Sequence, residues 1–451
     1  MNRKLFFIVS VFVALLNNSH AQKPFHQWAS TPPMGWNSWD CFGPTVVEAE
    51  VKANADYMSD KLKKYGWKYI IVDIRWFVGN DKAHGYNETN PEYTIDEYGR
   101  LLPAVNRFPS AAGGKGFKPL ADYIHGKGLK FGIHIMRGIP VIAVKNNLPI
   151  KNSKAKAADI YTTADQCKWL KDMYTILPGK TGAQEYYNSI FQLYASWGVD
   201  FVKVDDLSSP IYFTEEVEMI RKAIDQCGRI MVLSTSPGET PFAHAAHVQQ
   251  NANMWRTVGD FWDNWKQLRD HFEVFERWNG FRKPGAWPDG DMLPLGHIGI
   301  RAERGNDRMG AFTKDEQYTL MTLWTMFRSP LMFGGHLPDN DSFTLSLLTN
   351  RELVYILNNS ANNKQLFRDD KKAAWIADDP ATGDKFLALF NISGDAAPEE
   401  KIPVSLNKIG ISENYIIKDC WSGRAIDNSG DEFSPAIKRH GCGLFRISKK
   451  K

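Results

Sequence analysis

Two runs in the chain end in a carboxylate in a way that suits chemistry at an acetal carbon: Phe201-Val-Lys-Val-Asp205 and Trp255-Arg-Thr-Val-Gly-Asp260. Each reads as a buried apolar strand closed by an acid, and a pair of carboxyls flanking a glycosidic bond is what hydrolysis of a sugar acetal requires. Strand alternation places Lys203 and Asp205 on one face. An ammonium beside a carboxylate favours the charged form, as a nucleophile needs. Asp260 lies close in sequence to Trp255, Phe261 and Trp262. That aromatic setting is expected to desolvate its carboxyl and raise its pKa, so that it holds a proton for a leaving oxygen. Arg256, four residues before Asp260, is placed to orient a sugar hydroxyl.

Positioning such acids calls for parallel strands. From about residue 30 to 340, short β-branched or aromatic runs alternate with longer amphipathic stretches, the pattern of βα units. Candidate strands begin at Met34, Tyr69, Leu129, Phe201, Ile230, Met254, Gly285 and Pro330. Eight of them fit a (β/α)8 TIM barrel better than an open doubly wound sheet. Polar residues gather at their C-terminal ends: Trp39 and Asp40, Asp73, His134, Asp205 and Asp206, Ser234 to Ser236, Asp260, Asp289 and Asp291. In a barrel of parallel strands that is the catalytic face. Asp206 is expected to face away from the axis as a structural acid, and Asp289 to be a turn acid. An insertion over residues 138–183 is expected on the rim. Beyond about residue 345, short alternating segments separated by turn clusters predict a C-terminal antiparallel β-sandwich. The expected division is a signal peptide over 1–21, a catalytic barrel over 22–342 and the β-sandwich over 343–451.

Composition narrows the partners. The 451 residues are 43% hydrophobic and 13% aromatic with a formal net charge of +4, and charges of both signs are interspersed. No one-signed field points to nucleic acid or anionic lipid. Asn2-Arg3-Lys4, an apolar run from Leu5 to Leu16 and Ala21 have the pattern of a secretory leader, too short to span a bilayer. Cleavage after Ala21 and a periplasmic or extracellular destination are expected, with no membrane span. Five cysteines, an odd number for an exported chain, argue against a disulfide framework, Cys420 and Cys442 being the best candidates for a single bridge. No CxxC or HxxxH spacing suggests a metal, and no G-x-G-x-x-G or Walker loop suggests a nucleotide.

Eight ordered segments go further. Thr31-Pro-Pro-Met-Gly-Trp-Asn-Ser-Trp39, Tyr69-Ile-Ile-Val-Asp73, Arg107-Phe-Pro, the run from His125 to His134, the run from Trp197 to Asp205, the run from Trp255 to Asp260, Pro288-Asp-Gly-Asp-Met292 and Ser329-Pro-Leu-Met occur in that order. Together they resemble glycoside hydrolase family 27, the α-galactosidase and α-N-acetylgalactosaminidase group, over about residues 30 to 338. The resemblance implies a retaining α-glycosidase, first of all an α-galactosidase acting on a carbohydrate substrate, with no metal or organic cofactor. It places Asp205 as nucleophile and Asp260 as acid/base, with carboxyls about 5 Å apart. It also sets Trp39, Asp73, Lys203, Arg256 and Asp291 around the sugar of the first subsite.

The departures lie in the sugar pocket. The family's second strand usually ends in two adjacent acids that hold the axial O4 and the O6 of galactose, whereas here Asp73 is followed by Ile74. His134 stands where Tyr is common, and Leu207 where a Cys follows the nucleophile motif. Ser234-Thr-Ser-Pro237, with Thr235 as the expected contact, replaces a Cys-Glu-Trp segment near the C2 hydroxyl. Arg75, His84 or His134 are candidates to supply the lost contacts. The same chemistry on β-L-arabinopyranose, an α-glucoside or a modified galactose is the alternative, as is transfer to a sugar instead of water. A non-catalytic carbohydrate-binding protein is the reading of another class.

Overall fold

The computed structural model describes residues 24–394, 399–411, 415–428 and 430–450, so the expected leader at 1–21 lies outside the described residues. Eight parallel strands form the central sheet: β1 (Met34–Asn37), β2 (Tyr69–Val72), β3 (Lys130–Met136), β4 (Phe201–Asp205), β5 (Val232–Thr235), β6 (Met254–Arg256), β7 (Trp287–Asp289) and β8 (Leu331–Phe333). Seven consecutive pairings run from β7 round to β8 through β1. The remaining seam is sealed by Leu293, whose N–H donates to Met332 O at 2.7 Å and whose carbonyl accepts from Gly334 N at 3.0 Å. The result is the expected TIM barrel.

The strands are β-branched and aromatic because both faces are covered. Tyr69, Ile71, Phe201, Val232, Met254, Trp287 and Met332 fill the barrel interior as one cluster, while Ile70, Val72, Val202, Val204 and Leu233 join the larger core beneath the helices. The interior is tight enough to require glycine on β3. A Cβ on Gly132 would lie 2.9 Å from Ile71 Cγ1 and 3.0 Å from Phe201 Cβ, where the rings of Phe201 and Tyr69 meet at 5.4 Å. Outer helices follow the strands. Trp265–Trp278 buries Leu268, His271, Phe272, Phe275 and Trp278 along one stripe and is capped by the Asn264 side chain. Lys314–Phe327 opens with a capping box in which Thr313 and Glu316 each accept the other's N–H.

The expected insertion forms a small antiparallel sheet from Ile139–Pro140, Tyr161–Thr162 and Met173–Ile176. After β8 come two helices, Ser342–Leu348 and Arg351–Asn359, and the antiparallel strands begin at Ala361. A six-stranded sheet built from Ala361–Arg368, Lys372–Asp378, Lys385–Asn391, Tyr415–Asp419, Ala425–Ile426 and Cys442–Lys449 packs against two short ribbons, with Leu387, Leu389, Ile402, Ile417 and Phe445 between them. Helix Lys314–Phe327 joins this sheet to the barrel. Thr319 Oγ1 donates to His440 O at 2.6 Å, and Trp421 Nε1 donates to Thr322 Oγ1 at 3.1 Å. No helix among the described residues is long and apolar enough to cross a membrane.

One expectation is overturned: Cys420 and Cys442 are unbridged, as are the other three cysteines. The strand register pairs Asp419 with Phe445, which sets Cys420 beside Leu444, two residues short of Cys442. Cys442 Sγ instead lies 3.2 Å from Thr322 Oγ1. Titration of the denatured, unreduced protein will therefore count five thiols, and a count of three would restore the bridge.

Candidate active site

Parallel register determines which side chains reach the barrel mouth. Lys203 on β4 pairs with His134 on β3 and with Ser234 on β5, so these three point inward together above the apolar plug. Thr235 pairs with Val204 and Trp255, two residues of the outer core. It is fully buried, its hydroxyl has no partner among the described residues, and it does not border the cavity. The expected sugar contact at Thr235 is thus corrected: one step of alternation turns it toward the helices.

At the strand ends lies a cavity of about 720 Å³ bordered by Trp39, Asp73, Lys203, Asp205, Arg256, Asp260 and Asp291. Asp205 Oδ2 accepts from His134 Nε2 at 3.1 Å and its Oδ1 from Asp206 N at 2.9 Å. His134 reaches the site only through this bond, and its Nδ1 has no partner among the described residues. Lys203 Nζ donates to Asp73 Oδ2 at 3.2 Å, and Asp73 also accepts from Asn37 Nδ2 at 2.7 Å and Ile74 N at 2.9 Å.

Burial opposes ionisation of Asp205, but the His134 hydrogen bond, the Lys203 ammonium and the Asp206 N–H together hold its carboxyl well below the usual range. Asp73 is likewise held down: burial works against it, and Lys203, His134, the Asn37 amide and the Ile74 N–H together overcome burial. Lys203 itself is raised, since Asp73 and Asp205 outweigh its desolvation. This trio can keep a buried carboxylate charged in front of a substrate.

The second carboxylate sits differently. Asp260 Oδ1 is 3.1 Å from Arg256 Nη2, while Arg256 Nη1 is 2.9 Å from Asp291 Oδ1, and Asp291 Oδ2 accepts from Phe261 N at 2.8 Å. Phe261 and Trp262 border the cavity as expected, but Trp255 is wholly buried on the outer face. The Asp260 side chain is 49% exposed, so the desolvation expected of it is absent here. Deeper in the barrel, burial and then Asp291 push Asp289 up to about 7, and burial followed by Asp291 raises Asp40 well above its ordinary value. Asp289 is therefore a buried strand-end acid, where a turn acid was expected.

Outside this ring, Asp206 adopts φ 58° and turns from the axis to pair with Arg137 at 3.0 Å. Arg75, a candidate for the lost sugar contacts, is fully buried and gives bidentate bonds to Asp172 at 2.7 Å plus one to Asp81 at 3.2 Å. It ties two rim loops together. His84 does border the cavity, anchored through Nδ1 to Ala302 O at 2.8 Å. Tyr86, Trp169 and Glu303 also border it. They come from long connections without periodicity, and aromatic residues in the rim insertion were the only available signal.

The family model described as Alpha galactosidase A matches residues 31–145 and 168–359. This chain belongs to glycoside hydrolase family 27. As a family-27 glycoside hydrolase it resembles the GH27 β-L-arabinopyranosidase of Geobacillus stearothermophilus at 52% identity, over 94% of this chain and 98% of that one, with a TM-score of 0.91. A variant of that enzyme in complex with arabinose matches at 50% identity, covers 96% of this chain and 100% of its own, and has a TM-score of 0.92. Among curated relatives, Alpha-galactosidase 2 of Arabidopsis thaliana is 27% identical, over 94% of this chain and 91% of its own length.

Two outcomes follow for the family-27 enzyme. Removing the Nε2 donor by His134→Phe weakens the hold on the Asp205 anion, so the acidic limb of its pH–activity profile moves to higher pH; an unmoved limb would mean that the bond does not set the ionisation. Asp289 keeps a proton in the folded state that the unfolded chain releases, so it makes stability fall as pH rises from the ordinary aspartate value to about 7 and then level off. Asp289→Asn should flatten that decline, which denaturant titrations across this pH window will show.

Proposed function

We propose that the enzyme is a retaining glycosidase that releases terminal β-L-arabinopyranosyl residues by double displacement. An Asp205 oxygen attacks the anomeric carbon, and the bond to the leaving oxygen breaks as Asp260 gives it a proton. Asp260 then takes a proton from water, the hydroxide attacks the anomeric carbon, and Asp205 departs as a carboxylate. Lys203 and His134 keep Asp205 ionised before it attacks and stabilise the carboxylate that departs in the second step. A sugar ring filling the cavity displaces the solvent around Asp260, the condition under which a carboxyl retains a proton.

The observation that carries the choice of sugar is Ile74. It borders the cavity next to Asp73, at the place where the family's second acid serves galactose. β-L-Arabinopyranose has the ring hydroxyl configuration of α-D-galactopyranose and lacks the C6 hydroxymethyl group. An O6 hydroxyl set against a sec-butyl side chain, with its partner gone, costs about 1–3 kcal/mol. A ring without that group loses nothing. The named activity of the Geobacillus neighbour supports the same sugar. The α-galactoside reading is favoured by the curated relatives' names and by the retained Asp73.

A panel of nitrophenyl glycosides separates them. The β-L-arabinopyranoside is expected to exceed the α-galactoside in kcat/KM, and Ile74→Asp should move the ratio toward the galactoside by about 10- to 200-fold. Faster turnover of the α-galactoside by the unaltered enzyme would overturn the proposed glycon. Asp205→Asn should lower kcat by about 10⁴-fold or more, and a mechanism-based glycosyl fluoride should label Asp205; labelling elsewhere would remove the assigned nucleophile.

A further inference from the structure

Two aromatic rings stand at the cavity mouth beyond the ring of charged groups. Trp169, carried by the 138–183 insertion, is 38% exposed although it borders the cavity. Its ring lies 6.2 Å from Tyr86 at 34°, and Tyr86 stacks on Trp39 at 6.1 Å and 25°. The three rings form a shelf that starts in the first subsite at Trp39 and runs outward.

The shelf is anchored. Arg75 lies under Tyr86, with Cζ 5.5 Å from the ring centroid, and the same guanidinium grips Asp172, three residues past Trp169. Tyr93 Oη also donates to Asp172, at 2.5 Å. An indole packed against Tyr86 and carried three residues from a buried ion pair, yet left uncovered in the wall of a glycosidase cavity, has an unused apolar face. The C–H face of a pyranose ring fits such a surface, while its hydroxyls reach the polar rim at Glu88, Glu303 and Arg304.

We propose that Trp169, supported by Tyr86, is the platform of a leaving-group subsite that binds a pyranose by its apolar face. The subsite rests on the glycosidase reading and is independent of which glycon occupies the first subsite. It makes the enzyme selective for sugar leaving groups, and Trp169 a residue that sets this selectivity without touching the reacting atoms.

The test uses the glycon that the panel shows to be turned over fastest, presented once as the methyl glycoside and once joined to a hexopyranose in a disaccharide. Trp169→Ala should lower kcat/KM on the disaccharide about tenfold, the loss of about 1.4 kcal/mol of stacking, and leave the methyl glycoside within about twofold. Trp169→Phe should fall between. The methyl glycoside reports folding and the first subsite, so a variant that merely misfolds loses both activities together. An equal loss on both substrates, or no loss on the disaccharide, would overturn the subsite.

Discussion

The Lys203 ammonium, shared between Asp73 and Asp205, is the interaction on which the rest of the site depends. It lies at the centre of the barrel mouth, on a strand whose neighbours supply His134 and Ser234 at the same level. Asp40, Asp73, Asp205, Asp289 and Asp291 are all buried or nearly so around one opening, and Lys203 and Arg256 are the cations among them. Such an assembly cannot ionise completely. Lys203, His134, Asn37 and the Ile74 and Asp206 N–H groups are directed at Asp73 and Asp205 and hold both in the charged form, while burial and mutual repulsion raise Asp40, Asp289 and Asp291, the last in spite of its Arg256 pair. The site is thus divided by placement into acids held toward the charged form and acids shifted toward the protonated one.

Much of this was readable from residue pattern. All eight barrel strands were expected, because β-branched runs covered on both faces read as continuous apolar stretches ending in a polar residue. Trp39, Asp73, Lys203, Asp205, Arg256, Asp260 and Asp291 meet at one cavity, and His134 reaches it through Asp205. Thr235 was misplaced because a strand's end fixes which residues are near the mouth, whereas its register with Val204 fixes which way they point. The desolvation of Asp260 was inferred from neighbours in sequence, and Trp255 turned out to face the helices. Tyr86 and Trp169 carried no periodic signal, since loops are shaped by particular contacts such as the Arg75 pair.

The barrel also sets Asp205 and Ile74 in different structural surroundings. Asp205 and Lys203 are on β4, fixed by ladder hydrogen bonds on both sides, whereas Ile74 and Arg75 follow the end of β2, where the chain leaves the sheet. Side chains at that exit change the shape and polarity of the pocket without altering the register of β4.

Arg75 gives that exit a wider reach. It follows directly after Ile74, and its guanidinium joins Asp172 of one rim loop to Asp81 of another. Ile74, which borders the cavity, is thereby yoked to both segments that frame the entrance. A chimaera that grafts a relative's loop in place of the one carrying Asp172 would strip an enclosed guanidinium of its bidentate partner and leave it Asp81 alone, unless the incoming loop brought its own acid to the same spot. The two framing segments are thus coupled through one guanidinium, and a change to either is felt by the other.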